Sequence, residues 1–234
     1  KQRLATIFDW AKGAGHYSHE NPINGIKKAL PTVKRRPAHL AAMDWREVPS
    51  FVAELSKREG VSARTLEFII LTAARSGEAR GALWSEITGG DIWSVPGQRM
   101  KRGIPHNVPL SREAITVLNR VRGLDKQLVF PSPNNKPDGS TRAQSGMVFK
   151  SLLKRMGREG FTVHGFRSAF RDWCSEAAQV PREVAETALS HAVGNEVERA
   201  YARSDLFDLR RKLMSDWGAF VFSKRNDIET VEGL

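Results

Sequence analysis

Six side chains of this 234-residue chain are of types that together can break and remake a phosphodiester: Arg75, Lys101, His164, Arg167, His191 and Tyr201. A phosphoryl group in transfer gathers negative charge on its non-bridging oxygens. Two guanidinium groups can clamp those oxygens bidentately, and histidines can add hydrogen bonds and move protons. A lysine ammonium can protonate the oxygen that leaves. A phenol, with a reference pKa of about 10, becomes a nucleophile when a base stands near and cations favour the phenolate. Such a set calls for no metal or cofactor, because the arginines themselves neutralise the developing charge.

Each group sits in a local pattern that also has a plain structural reading. In Thr72-Ala73-Ala74-Arg75-Ser76-Gly77-Glu78, Arg75 ends an apolar helix where the chain turns at Gly77. Glu78 is placed to orient its guanidinium, although an i, i+3 surface pair is worth little by itself. Met100-Lys101-Arg102 lies between the Pro96-Gly97 turn and Gly103, near the tip of a hairpin, where lysines often guard a sheet edge. In His164-Gly165-Phe166-Arg167, Thr162 is the expected N-cap, which puts His164 and Arg167 on one face of a first helical turn. The helix N-terminus adds its own attraction for anions. The fourth pattern is Leu189-Ser190-His191, with Tyr201 ten residues on. Tyr201 is one of two tyrosines, the other being Tyr17, and its neighbours are Glu198, Arg199, Arg203 and Asp205 rather than an apolar stripe. Any one pattern alone is ordinary; the complete set in this order is what points to phosphoryl transfer.

These groups need rigid elements to hold them. Val48, Phe51, Val52 and Leu55 trace one helix face, and Gly60 is expected to stop that helix. Leu66, Ile69, Ile70 and Ala73 trace the next. After Gly89-Gly90 three short strands are expected, at 92–95, within 98–102 and at 106–108. Ser111 caps a helix with Ala114, Leu118 and Val121 inward. A polar Pro/Gly-rich loop fills 131–140, and helices are expected near 143–156, 164–178, 181–189 and 195–202. A last helix begins at Asp205, with Leu206, Leu209, Leu213 and Trp217. The expected fold class is therefore mainly α with a small antiparallel β-sheet (α+β). Residues 44–222 read as one domain and 223–234 as a polar tail. Residues 1–30 form a separate helical piece, joined through a basic, proline-flanked linker at 31–43.

The formal net charge of +11 favours a polyanionic partner. Basic residues cluster at Lys34-Arg35-Arg36, 99–102, 150–158 and 210–212, and Lys150 and Lys154 share a helix face suited to phosphate contacts, as is Arg102. Cys174 is the only cysteine, which excludes an internal disulfide and a Cys-rich metal site and suits a reducing cytoplasm; it reads as a small apolar helix residue. No apolar run approaches a membrane span. Lys1 opens directly into a helical pattern, with no secretory signal, which reads as a piece of a longer chain.

The order Arg, Lys, His-x-x-Arg, His, Tyr resembles the tyrosine recombinase family, and the phage integrases in particular. Leu71 to Glu78 is similar to that family's first arginine box, His164 to Arg167 to its second, and Ser190-His191 with Tyr201-Ala202-Arg203 to its third. Met100-Lys101 and Val108-Pro109-Leu110-Ser111 are similar to integrases of P4-like prophages and genomic islands. The resemblance spans about residues 45–222. It implies that Arg75 and Arg167 hold the scissile phosphate, Glu78 supports Arg75, and Lys101 protonates the 5′ leaving oxygen. It implies too that His164 assists the nucleophile's proton transfer, His191 hydrogen-bonds the phosphate, and Tyr201 forms a 3′-phosphotyrosine. Implied partners are double-stranded DNA attachment sites, other copies of the chain in a tetramer on DNA, and an accessory protein of excision or directionality. The state of the free chain, monomer included, stays open. Residues 1–30 then correspond to the end of a helical core-binding domain. Two other readings of the residues remain: a helical DNA-binding regulator without catalysis, and a type IB topoisomerase-like enzyme.

Overall fold

Apolar residues at helical spacing build most of the protein. The computed structural model describes residues 2–29, 42–134, 138–192 and 204–231, with side chains left aside at 27–29 and 225–231. The chain divides into two units, Lys1–His39 and Leu40–Leu234.

The first unit contains α1 (Gln2–Gly13) and α2 (Pro22–Ala29). Pro22 opens α2, where a missing N–H costs nothing. Asn21 fastens the pair: its amide donates to the Ala5 carbonyl at 2.9 Å and to Asp9 Oδ1 at 2.7 Å, and its Oδ1 accepts from the Ile23 N–H at 3.0 Å. No residue of α1 is buried, and Leu4, Ile7 and Trp10 are more than half exposed.

In the second unit α3 (Val48–Ser56) buries the expected Val48, Phe51, Val52 and Leu55. It stops at Lys57, and Gly60, with φ of 99°, instead caps the start of α4 (Val61–Thr72). A side chain is strained in that conformation, so glycine belongs there. Helix α4 is buried over Ala63–Thr72 and forms the centre of the core. The long α10 (Phe207–Val231) packs on α3, α4 and α6 (Arg112–Val121). There the indole N–H of fully buried Trp217 donates to the Ile70 carbonyl at 2.8 Å, satisfying an acceptor near the end of α4. Trp173, Phe170 and Phe220 surround Trp217 with ring centroids 5.0–5.7 Å away.

The sheet is antiparallel, in the order β1 (Ile87–Thr88), β2 (Ile92–Val95), β3 (His106–Pro109). Trp93 pairs with Ile87 on one side and Val108 on the other, and its ring packs against Phe68. Two of the expected strands are therefore present. The third is not: Gly97–Arg99 is a 3₁₀ turn, followed by a loop. Arg99 turns its guanidinium inward onto the Glu86 carboxylate and the Glu78 carbonyl, which curls this backbone away from the sheet. The actual third strand, β1, is two residues long, too short to leave an alternating pattern.

Ser111 caps α6 (Arg112–Val121), its Oγ accepting from the Ala114 N–H at 3.2 Å. Helix α7 (Met147–Arg155) starts later than expected. Gln144 is buried and donates to Thr65 Oγ1 at 2.9 Å, so the segment before α7 is a tether, not a helical turn. Next come α5 (Ser76–Arg80), at the end of α4, and α8 (Gly165–Glu176) and α9 (Arg182–Ala188), which lead to α10. Helix α10 continues through 223–231, where a polar tail was expected. Cys174 is buried in α8, and burial pushes its thiol up to about 12, in keeping with a small apolar role. Among the described residues no helix is long and apolar enough to cross a membrane.

Candidate active site

Two arginines anchor the site, and each sits at the start of a helix. Helix α4 closes at Ala73, which adopts a left-handed conformation with φ of 49°. The chain is extended at Arg75, and α5 begins at once. Glu78 reaches back along this first turn. Its Oε2 accepts from the Arg75 backbone N–H at 3.0 Å, and its Oε1 accepts from Arg75 Nη1 at 2.8 Å. This is a capping box in which the carboxylate fixes the arginine's backbone and its guanidinium together. The side chains are 24% and 8% exposed, so the pair lies well out of the high-dielectric regime of surface pairs. Arg99 braces the same turn through the Glu78 carbonyl.

Arg167 lies in the first turn of α8 and is 4% exposed. Its Nη1 donates to the Ala73 carbonyl, and its Nη2 donates to the Leu189 carbonyl at 2.7 Å. Ala73 is the C-cap of α4 and Leu189 that of α9, so the negative ends of two helices converge on one cation. Its Nε is buried and has no hydrogen-bond partner among the described residues. Burial, and then the charge of Arg75, push Arg167 down to about 10, which leaves it charged at neutral pH.

His191 follows Ser190, whose φ of 53° turns the chain out of α9. The imidazole Nε2 lies 3.1 Å from Arg167 Nη2, and Nδ1 lies 2.6 Å from Glu186 Oε2. His164 caps α8, two positions later than the expected Thr162, because Thr162 accepts from the Gly165 N–H at 3.1 Å and closes the turn before the helix. Its side chain is exposed whereas Arg167 points inward, so the two diverge from the single face expected. They remain electrostatically coupled. Burial, then Arg167, Arg75 and His191, hold the His164 imidazole below its ordinary value, so it is neutral at pH 7.

Arg75, Glu78, His164, Arg167 and His191 thus form one cluster. Lys101 and Arg102 are exposed on the loop between β2 and β3, with no hydrogen bond to that cluster among the described residues. Lys150 and Lys154 are exposed on α7 and rim a depression floored by Phe149 and Leu153. Tyr201, the helix expected at 195–202, the Lys34–Arg36 cluster and most of the 31–43 linker lie outside the described residues.

Sequence reasoning missed three participants. Glu186 had no motif to mark it, its partner being five positions on, past a helix end. His106 on β3 is held down to about 4 by burial and by Arg210, against the opposing pull of the Ala188 carbonyl, Glu78 and Asp205. Arg210, counted in a basic cluster, is fully buried and donates to the Asn107 carbonyl at 2.6 Å and to Asp205 Oδ2 at 2.5 Å. Arg211 pairs with Asp91, and Lys212 with Asp216 at 2.6 Å, so that cluster is partly internal wiring.

Residues 42–206 match the phage integrase family. The integrase of Enterobacteria phage P4 is 31% identical over 97% of this chain and 55% of its own length. Prophage integrase IntA of Escherichia coli (strain K12) is 38% identical over 94% of this chain and 53% of its own. The chain spans about half the length of the curated relatives it matches. Among solved structures, a lambda integrase tetramer bound to a Holliday junction superposes with a TM-score of 0.56 at 16% identity, over 87% of this chain and 58% of that one. The integrase from mycobacterium phage Brujita superposes with 0.54 at 17% identity, over 93% and 69%. At such identities the likeness speaks to the fold, which is that of these integrases.

Proposed function

The chain belongs to the phage integrase family, and from that premise we propose that it cuts and rejoins DNA at specific sites through a covalent bond to Tyr201. The observation that carries the reading is the paired construction of Arg75 and Arg167, two cations, one held by the Glu78 carboxylate and the other by the ends of two helices, and coupled to two histidines. A binding module has no need of so much internal support for two arginines, and a phosphoryl-transfer site does.

In the proposed step the Tyr201 oxygen attacks phosphorus, a 3′-phosphotyrosine forms, and the bond to the 5′ oxygen breaks. The phenolic proton passes to His164, whose neutral imidazole can accept it at pH 7. Lys101 gives its proton to the leaving 5′ oxygen. Arg75 and Arg167 bind the non-bridging oxygens, and His191 supports Arg167 through Nε2. Rejoining is the reverse attack by a 5′ hydroxyl. One ester replaces another at each step, so ATP has no role.

The substrate is double-stranded DNA carrying attachment sites of a prophage or genomic island. Arg102, Lys150 and Lys154 contact its phosphates, which sets register rather than sequence. The chain works as a tetramer on DNA, an accessory protein sets the direction, and the first unit belongs to a core-binding domain. Incubation with a nicked duplex carrying the core site is expected to trap a protein–DNA adduct, unaffected by EDTA. An adduct that persists in Tyr201→Phe overturns the assignment of the nucleophile.

A further inference from the structure

The His191 ring is held from both sides, and the two contacts together decide which nitrogen carries its proton. A guanidinium has donors only. Arg167 Nη2 therefore donates to His191 Nε2 across 3.1 Å, and Nε2 presents its lone pair. The proton of the neutral ring is then on Nδ1, which donates to Glu186 Oε2 at 2.6 Å. Glu186 cannot swing away. Its other oxygen accepts from Arg171 Nε at 2.6 Å, its side chain is 12% exposed, and its own carbonyl accepts from the His191 backbone N–H at 2.9 Å. Burial opposes its charge most strongly, yet the hydrogen bonds from His191 and Arg171 hold the carboxyl below its ordinary range.

We propose that Glu186, braced by Arg171, is a positioning residue for the strand-transfer reaction: it fixes His191 with Nδ1 protonated and Nε2 turned to accept from Arg167, which keeps that guanidinium in register. Hydrogen bonds at one ring nitrogen set the state of the other, and partners of this kind orient histidines whose far nitrogen does the work. Without Glu186 the ring can flip or change tautomer. Two N–H groups, on Nε2 and on Arg167 Nη2, then face each other and push the guanidinium out of register. The role in strand transfer rests on the function proposed above; the tautomer does not.

The test reads the tautomer directly, by 15N NMR of the histidine side chains in the free protein at a pH where the ring is neutral, with the His191 signals assigned by His191→Gln. The expected parent state is Nδ1–H. Glu186→Gln keeps it, because the amide oxygen accepts the same bond, whereas Glu186→Ala shifts the ring toward Nε2–H. In the nicked-duplex assay Glu186→Ala loses about 10- to 100-fold in cleavage rate, the range typical of such supporting partners. Glu186→Gln retains most of the rate, and DNA affinity is unchanged in both. Should Glu186→Ala fail to fold, Arg171→Ala leaves the carboxylate in place without its brace and is expected to give a mixed tautomer and a smaller loss. An Nε2–H parent, an unchanged tautomer in both Glu186→Ala and Arg171→Ala, or equal losses in Glu186→Gln and Glu186→Ala overturns the proposal. A parent that shows the tautomer but never forms an adduct sinks the recombinase reading instead.

Discussion

Arg75 and Arg167 are the same side chain supported in opposite ways. The support of Arg75 is local: Glu78, three residues on, holds both its backbone and its guanidinium within one turn of α5. That of Arg167 is assembled from afar, from carbonyls 94 and 22 residues away at the ends of α4 and α9, and from His191. A carboxylate partner balances charge directly, and its loss leaves a flexible, partly exposed arginine. Helix ends supply only partial charges, but they are rigid and already paid for by the fold. On the function proposed above, Arg167 is consequently both a phosphate-binding group and a structural rivet between three helices, whereas Arg75 is chiefly the former.

The largest expected effect follows from this contrast. Arg167→Ala should abolish adduct formation and also cost stability, about 3 kcal/mol, because it strands buried carbonyl acceptors at two helix ends. Urea unfolding measures the second effect. Arg167→Lys should rescue neither, since one ammonium cannot span the fork of acceptors. If Arg167→Ala unfolds at the parent's urea midpoint, the rivet does not exist.

Arg75→Ala should abolish adduct formation as completely but lower stability by only about 1 kcal/mol, as Glu78 keeps its bond to the backbone N–H. Glu78→Gln sharpens the point. Its amide can still accept from the backbone, so the fold should hold while the cleavage rate falls. A stability loss in Arg75→Ala equal to that in Arg167→Ala would erase the distinction between the two arginines.

The smallest effect concerns His106, which faces both supports through Glu78 and the Ala188 carbonyl. Its pKa is lowered from 6.5 to about 4 on folding. The unfolded chain therefore binds the proton more readily, so this contribution to stability is complete above 6.5 and is lost as pH falls toward about 4. Thermal unfolding across that window should show the parent losing stability faster than His106→Asn. Parallel pH profiles would remove His106 from the account.

Much of this was legible without coordinates, for a physical reason. Helical periodicity marked α3, α4 and α6 because an amphipathic helix advertises its buried face within a few residues. The Arg75–Glu78 pair could be read as i, i+3, and Ser111 as a cap, for the same reason of short range. What misled was short-range reasoning applied to residues with distant partners. The stretch 98–102 has strand-like spacing, but Arg99 is drawn in by Glu86 and by the Glu78 carbonyl. Arg210 looked like part of a solvated patch, yet it is buried against Asn107 and Asp205.

The sequence by itself determined the fold class, the residue types of the site and their order, because periodicity, caps and chemical character are properties of neighbours along a chain. Only the tertiary structure decided that Arg167 faces inward to two helix ends, that His191 lies between Arg167 and Glu186, and that Arg171 braces Glu186 there. Those facts depend on which elements end beside one another, and no spacing along the chain records where a helix terminus will meet a side chain brought from elsewhere in the fold.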